Sequence, residues 1–398
     1  MVRNFQFEAT GLLVDVAPGW QIARCGECGT RCRAVHDARE RRWRHHDLAG
    51  MTLYLRYRIR RADCPSCKTV KTEKVPWAAN GANFTYDFEE RVAFLAQQSS
   101  KTAVATLQRT AWRTVGMIIR RVVARSLETG GDRLDDLRFI GVDELSYRRH
   151  HEYVTVIVDH ERSRIVWASK GKSAATLKRF FDDLGPERCE KLEAVTLDLS
   201  AAYIKAVSEA TPEAKLIFDR FHVQRLAQDA LDDTRRDEVR EAVTKDQKKA
   251  LKSMRWKLQK SAWNLTDADI QDLEELERVN YPIFRAHMLK ESLVSILDGR
   301  QINVARRRLK NWIADARSSS LVHFARVAAT IEKHLDGVLE YVSSRLSNGR
   351  TEGLNGKIRT ITRRSFGFHS ASALIAMIFL CCGGVHVTPA HSAPSGFH

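Results

Sequence analysis

Two cysteine pairs constrain this chain more than any other feature. Cys25-Gly-Glu-Cys28 and Cys64-Pro-Ser-Cys67 share the C-x-x-C spacing. Two intervening residues let both sulfurs reach one ion while nearby backbone N–H groups point at them. Four such sulfurs suit tetrahedral Zn²⁺. The intervening segment, residues 29–63, is longer than compact finger spacing. In it Leu53, Leu55, Tyr57 and Ile59 alternate with Thr52, Tyr54, Arg56 and Arg58. A period of two is a strand. Residues 1–80 therefore read as a zinc ribbon with strands between its knuckles. The plain alternative is four unrelated buried cysteines. Cys32 and His36 are rival ligands, but both knuckles are complete without them, so Cys32 reads as a free thiol beside the site.

Charge points to the partner. Lys and Arg number 65 against 49 Asp and Glu, a net charge of +16. The bases cluster, at Arg39 to Arg44, Arg56 to Arg61 and Arg306 to Arg308, with aromatics interleaved. Clustered positive charge of this kind suits nucleic acid. No N-terminal stretch has the pattern of a signal peptide. The longest apolar run, Ala371 to Cys382, is too short to span a bilayer and reads as a buried helix. A cytoplasmic protein is expected, with no membrane partner. In that compartment eight cysteines indicate metal or core packing rather than disulfides.

Residues 81–130 read as a helix-turn-helix. Phe88, Val92 and Leu95 mark one apolar face. A short helix from Thr102 to Gln108 follows, then a longer basic one opening near Thr110. In this geometry the last helix enters the major groove. That puts Trp112, Arg113 and Thr114 where base edges are read. A plain three-helix linker has the same periodicity.

Residues 131–235 have an α/β order. Arg138 to Glu144 is a short strand ending in acid. Tyr153 to Val158 and Arg164 to Ala168 are two more strands. Ala194 to Asp198 and Lys215 to Asp219 each end in an aspartate. An aspartate after a strand is usually a helix cap. Asp143 resists that reading, because another strand follows it. Adjacent strand-end carboxylates gather negative charge that two Mg²⁺ ions would neutralise, and two metals serve phosphoryl transfer. Residues 236–340 have helical composition and no strand alternation. Trp256, Trp263 and Trp312 there read as core or as stacking platforms.

The stretch Ser347 to Arg364 holds one acid, Glu352, among Arg350, Lys357, Arg359, Arg363 and Arg364. Ser347 or Asn348 can cap a helix with Glu352 in its first turn, where the dipole favours an anion. Asn355 and Arg359 then share the face of Glu352.

Taken together these stretches resemble the DDE transposases of bacterial insertion sequences, specifically the ISL3 family. The resemblance is carried by the paired knuckles, Gly141-Val-Asp143-Glu144, Leu197-Asp198 to Tyr203, Phe218-Asp219-Arg-Phe-His222, and Ser347 to Gly367. It runs from Cys25 to about Gly384. It implies an RNase H-like core (131–235 and 341–385) interrupted by an α-helical insertion (236–340). The tail at 386–398, rich in small residues, His and Pro, lies outside the resemblance and reads as flexible. It also implies that Asp143, Asp198 and Glu352 bind two Mg²⁺ or Mn²⁺ ions per active site. Asp219 stands as a supporting or capping residue, and His222 as a neighbour of the site.

The function so implied is binding of terminal inverted repeats, metal-dependent cleavage and strand transfer. Double-stranded DNA, both transposon ends and target, is the partner. Asn355, Lys357, Arg359 and Arg363 join Trp112, Arg113 and Thr114 as DNA-facing residues. Two ends must be joined together, so a homodimer or larger synaptic complex is expected. The alternatives are a non-catalytic DNA-binding regulator and an RNase H-like nuclease without strand transfer.

Overall fold

The computed structural model describes residues 1–148, 152–260, 264–346, 349–365 and 367–387, with the side chains of residues 148 and 350–352 also outside the description. Trp263, Ser347, Asn348 and the tail from 388 thus lie outside the described residues. The chain forms two compact units. One comprises Met1–Asp132 together with the residues from Thr360; the other is Arg133–Arg359.

The first unit opens with seven strands: β1 (Val2–Glu8), β2 (Gly11–Val16), β3 (Ala23–Arg24), β4 (Arg31–Cys32), β5 (Val35–Leu48), β6 (Met51–Cys64) and β7 (Thr69–Thr72). The main sheet runs β1-β2-β6-β5, with β7 on the far end of β6. Strands β5 and β6 form a long hairpin with Leu48 opposite Met51. Its two loop residues, Ala49 and Gly50, both have positive φ, 46° and 81°, as a primed turn requires to match strand twist. Three helices follow: α1 (Tyr86–Gln98), α2 (Lys101–Leu107) and α3 (Trp112–Thr129). Thr85 and Ser100 cap α1 and α2 through their side chains, which sets their starts. Val115, Ile118, Ile119, Val122 and Val123 form the buried stripe of α3.

The apolar run near the C-terminus is helix α16 (Ala371–Cys382), and it packs on α1 and α3. Gln97 of α1 donates to the Leu380 carbonyl at 2.7 Å. A helix that is apolar all round must be buried, and the helix-turn-helix supplies its cover.

The second unit holds β8 (Phe139–Arg148), β9 (Glu152–Asp159), β10 (Arg164–Lys170), α4 (Ala174–Leu184), α5 (Pro186–Cys189), β11 (Ala194–Leu197), α6 (Ala201–Ala210), β12 (Lys215–Phe218) and α7 (Arg220–Glu241). The sheet order is β10-β9-β8-β11-β12. The first three strands are antiparallel neighbours, and β8, β11 and β12 run parallel. This is the expected RNase H-like arrangement, with β8 in the middle. One detail departs from the sequence reading. Strand β8 does not end at its acid but continues to Arg148, because Leu145 and Tyr147 remain buried on alternate positions.

Helices α8 (Lys245–Ser253), α9 (Arg255–Gln259), α10 (Asp267–Val279), α11 (Tyr281–Asp298), α12 (Ile302–Ser318), α13 (Val322–Lys333) and α14 (Leu335–Ser344) make the insertion. Trp312 is core there: it is 2% exposed and its indole donates to the Leu289 carbonyl at 2.8 Å. Trp256 is 69% exposed. Helix α15 (Gly349–Arg364) returns the chain to the sheet side, and no described helix is long and apolar enough to cross a membrane.

Candidate metal centres and nucleic-acid interface

The four cysteines come together from two turns. One knuckle lies between β3 and β4, the other between β6 and β7. The two turns share one geometry. Gly29 donates to the Cys25 carbonyl at 3.0 Å, and Lys68 donates to the Cys64 carbonyl at 2.9 Å. Each of these residues has a positive φ, 73° and 57°. The backbone N–H of Glu27 reaches the Cys25 Sγ at 3.5 Å, and that of Cys67 reaches the Cys64 Sγ at 3.3 Å. Such turns aim N–H groups at sulfur, which favours thiolate.

The ligand atoms of Cys25, Cys28, Cys64 and Cys67 all lie within 4.8 Å of one another. The Cys28–Cys64 and Cys25–Cys67 sulfurs are 3.4 and 3.9 Å apart. Around a tetrahedral zinc with bonds of about 2.3 Å, sulfurs sit about 3.8 Å apart. The donor set therefore fits zinc. Hydrogen bonding with Thr30 draws the Cys28 thiol down to about 6. Hydrogen bonds with Cys28 and Cys64 push Cys67 up to about 12. Thiols so crowded cannot all ionise without a cation between them. Cys32 is buried beside the quartet and outside it, its thiol donating to the Thr30 carbonyl at 3.4 Å.

The carboxylates assemble differently. Asp143 stands on β8 opposite Val156 of β9, and Asp198 directly follows the neighbouring parallel strand β11. Asp198 accepts from the backbone N–H of Ser200 at 3.0 Å, while the residue preceding helix α6 is Ser200 itself. Asp198 is thus not the helix cap that its position suggests. Asp219 does cap α7, accepting from the Phe221 N–H at 3.3 Å. It is also 1% exposed, and its second carboxylate oxygen, Oδ2, has no hydrogen-bond partner among the described residues. His222 Nε2 stands 3.9 Å from that oxygen.

Burial raises the Asp143 carboxyl above its usual range, against the Glu144 N–H, His222 and Asn355, while the Asp198 charge raises it further. Burial likewise raises Asp219, with Asp143 contributing. Glu144 is raised by burial and by the Asp198 and Asp143 charges. Several acids thus lie near one another with the His222 ring beside them. An all-oxygen donor set with an orphaned buried oxygen suits a hard divalent ion.

Helix α15 meets this cluster through Asn355. That residue is 4% exposed, and its amide donates to the Asp143 carboxylate. The side chain of Asn355, expected among the DNA-facing residues, is buried here, because the stripe Leu354, Ile358 and Ile361 turns its side of the helix inward. Lys357, Arg359 and Arg363 of the same helix are exposed. Glu352 falls in the first turn of α15, and its side chain lies outside the described residues.

In the helix-turn-helix, Trp112 and Arg113 are exposed and Thr114 half-buried, all in the first turn of α3. Two other arginines of α3 have a structural task. Arg121 and Arg125 reach the buried Glu89 of α1 at 2.7 and 3.1 Å. Composition alone does not separate these from the outward bases; only the placement of Glu89 does.

Three family models match the chain. One described as Transposase covers residues 140–378. One for the zinc finger of transposases IS204/IS1001/IS1096/IS1165 covers 21–67. One for the helix-turn-helix domain of transposase family ISL3 covers 73–123. The transposase for insertion sequence element IS1557 of Mycobacterium tuberculosis is 36% identical over 386 residues, 91% of this chain and 86% of the relative. The transposase for IS1001 of Bordetella parapertussis is 26% identical over 360 residues, 90% of this chain and 88% of the relative.

Proposed function

This chain belongs to the ISL3 family of DDE transposases, and we propose that Asp143, Asp198 and Glu352 are the carboxylates that hold its divalent metal ions. The protein binds DNA and catalyses strand cleavage and transfer. The observation that carries the assignment is the hydrogen bond from Asn355 to Asp143. Asn355 lies one helical turn after Glu352, and residues three apart share a helix face. The helix bearing the third acid therefore docks with that face toward the first acid, beside the strand that ends at the second.

Two Mg²⁺ or Mn²⁺ ions per site are the expected complement. When bound, such ions lower the pKa of an attacking water or 3′-hydroxyl and stabilise the departing 3′-oxygen. The protein's own residues do the positioning. The Glu144 N–H, at 2.6 Å, and the Asn355 amide fix the Asp143 carboxylate. The Ser200 N–H fixes that of Asp198. Lys357, Arg359 and Arg363 hold the strand by its phosphates, which makes affinity strongly salt-dependent. Trp112, Arg113 and Thr114 read the terminal repeat from α3, with the zinc ribbon assisting. On this reading residues 1–130 recognise the ends, and the core around the 236–340 insertion performs the chemistry. The enzyme acts on nucleoid DNA in the cytoplasm as a dimer or larger assembly that pairs two ends.

A strand-transfer assay with pre-cut ends tests this. Wild type should join them to target, and Asp198→Asn should bind the ends without joining. Undiminished joining by that variant removes Asp198 from the assignment. Cleavage without any joining by wild type identifies a simple nuclease.

A further inference from the structure

We propose that a cationic cavity beside the first turn of α3 seats a phosphate of the DNA backbone, and that the segment after α15 is part of that seat. The inference rests on α3 being the DNA-facing helix. The cavity holds about 300 Å³. Its walls come from the start of α2, the first half of α3, and the chain from the end of α15 to the start of α16, all within the first unit. Lys101, Arg113, Arg120, Arg364 and His369 line it, and no carboxylate does among the described residues.

Lys101 is the centre of the argument. It is 8% exposed. Its ammonium lies 3.4 Å from the centre of the Trp112 ring, and no described carboxylate pairs with it. Burying an ammonium without a counter-ion is costly. Burial and the nearby Arg120 draw its pKa down to about 8, so an incoming anion would relieve two cations at once. A Cβ on Gly116 of α3 would stand 2.9 Å from the Lys101 Nζ. Glycine inside a helix is otherwise destabilising relative to alanine.

Neighbouring cations show that counter-ions are supplied where the role is structural. Arg121 and Arg125 have Glu89. Arg364 donates to the carbonyls of Ala96 and Gln97 at 3.0 and 3.1 Å, which anchors the segment after α15 to the end of α1. His369 packs edge-on against Trp112, with ring centres 5.8 Å apart. Lys101, Arg113 and Arg120 have no such ion-pair partner among the described residues, and they converge on one hollow. Phosphate is the anion a duplex presents beside a helix in its major groove.

The test uses the full-length protein and a duplex carrying the element's terminal inverted repeat, with affinity measured by anisotropy across a salt series. Lys101→Gln should weaken binding roughly tenfold and lower the slope of log K against log salt by about one. Gly116→Ala, which crowds the amine without removing charge, should weaken binding in the same direction. Thermal melts of both variants establish that α2 and α3 remain folded. A methylphosphonate placed at each backbone position in turn should reproduce the Lys101→Gln loss at one position, and the variant should lose nothing more there. Unchanged affinity and slope in Lys101→Gln, with Arg113→Ala still weakening binding, overturns the phosphate seat alone. Unchanged binding in both variants overturns the reading of α3 as the DNA-facing helix. Displacement by inorganic phosphate with no sensitive methylphosphonate position assigns the cavity to free phosphate and also overturns the proposal.

Discussion

The cysteine quartet and the carboxylates proposed above as metal ligands are built in opposite ways. The quartet comes from two similar turns, one in the small β3-β4 sheet and one between β6 and β7 of the main sheet, with its sulfurs already at contact distance. The carboxylates come from a mid-strand position, a strand end and a helix far along the chain. Asp143 and Asp198 are coupled through their charges, and the Asn355 amide ties helix α15 to Asp143. A closed set of soft ligands holds a structural ion; an open set of hard ligands leaves room for substrate. The difference separates what a metal does for folding from what it does for chemistry.

Losing the structural ion should have the largest effect. Cys64→Ser should eliminate bound zinc and the cooperative unfolding of the N-terminal sheet, because a structural zinc contributes on the order of 10 kcal/mol or more. Metal analysis with calorimetry checks this, and an unchanged melt without zinc would break the contrast. Next comes Asp143→Asn, which should cut strand cleavage on the order of 10⁴-fold. Its melting temperature should hold or rise, since a half-buried acid crowded by Asp198 is removed. A fall in stability comparable to that of Cys64→Ser would make Asp143 structural instead.

Smaller effects sharpen the picture. Asn355→Ala removes the amide that holds Asp143, and such supporting partners typically matter about 10–100-fold in metal affinity or activity. Titrating cleavage with Mn²⁺ should show a raised metal requirement with duplex binding intact. Lys357→Ala and Arg359→Ala should each lower the salt slope of binding by about one. Cleavage of the saturated complex should stay unchanged; a collapse there would move those residues into the reaction itself.

Much of this was legible in the sequence because it is periodic or short-range. The C-x-x-C spacing, the alternation along β6, the apolar stripe of α3 and the acids after β11 and β12 each depend on a few adjacent residues. The spacing between Glu352 and Asn355 placed both on one helix face. The less legible part depended on partners far away in the chain. Nothing near Asn355 tells that its amide will face Asp143 rather than solvent. Nothing near Arg121 and Arg125 tells that Glu89 will neutralise them while Arg113 and Arg120 stay outward. Strand β8 could be read to its acid but not past it, because the continuation is secured by pairing with β9.

The sequence by itself determined the ligand types, the order of ribbon, helix-turn-helix and α/β core, and which positions carry acid. Local sterics and hydrophobic period dictate those features before any long-range contact forms. Tertiary structure alone decided that α16 would cover the helix-turn-helix, that Lys101 would lie over the Trp112 ring, and that Asn355 would hold Asp143. Each of these joins surfaces distant in sequence, and burial of complementary apolar and polar groups selects such pairings only when the whole unit closes.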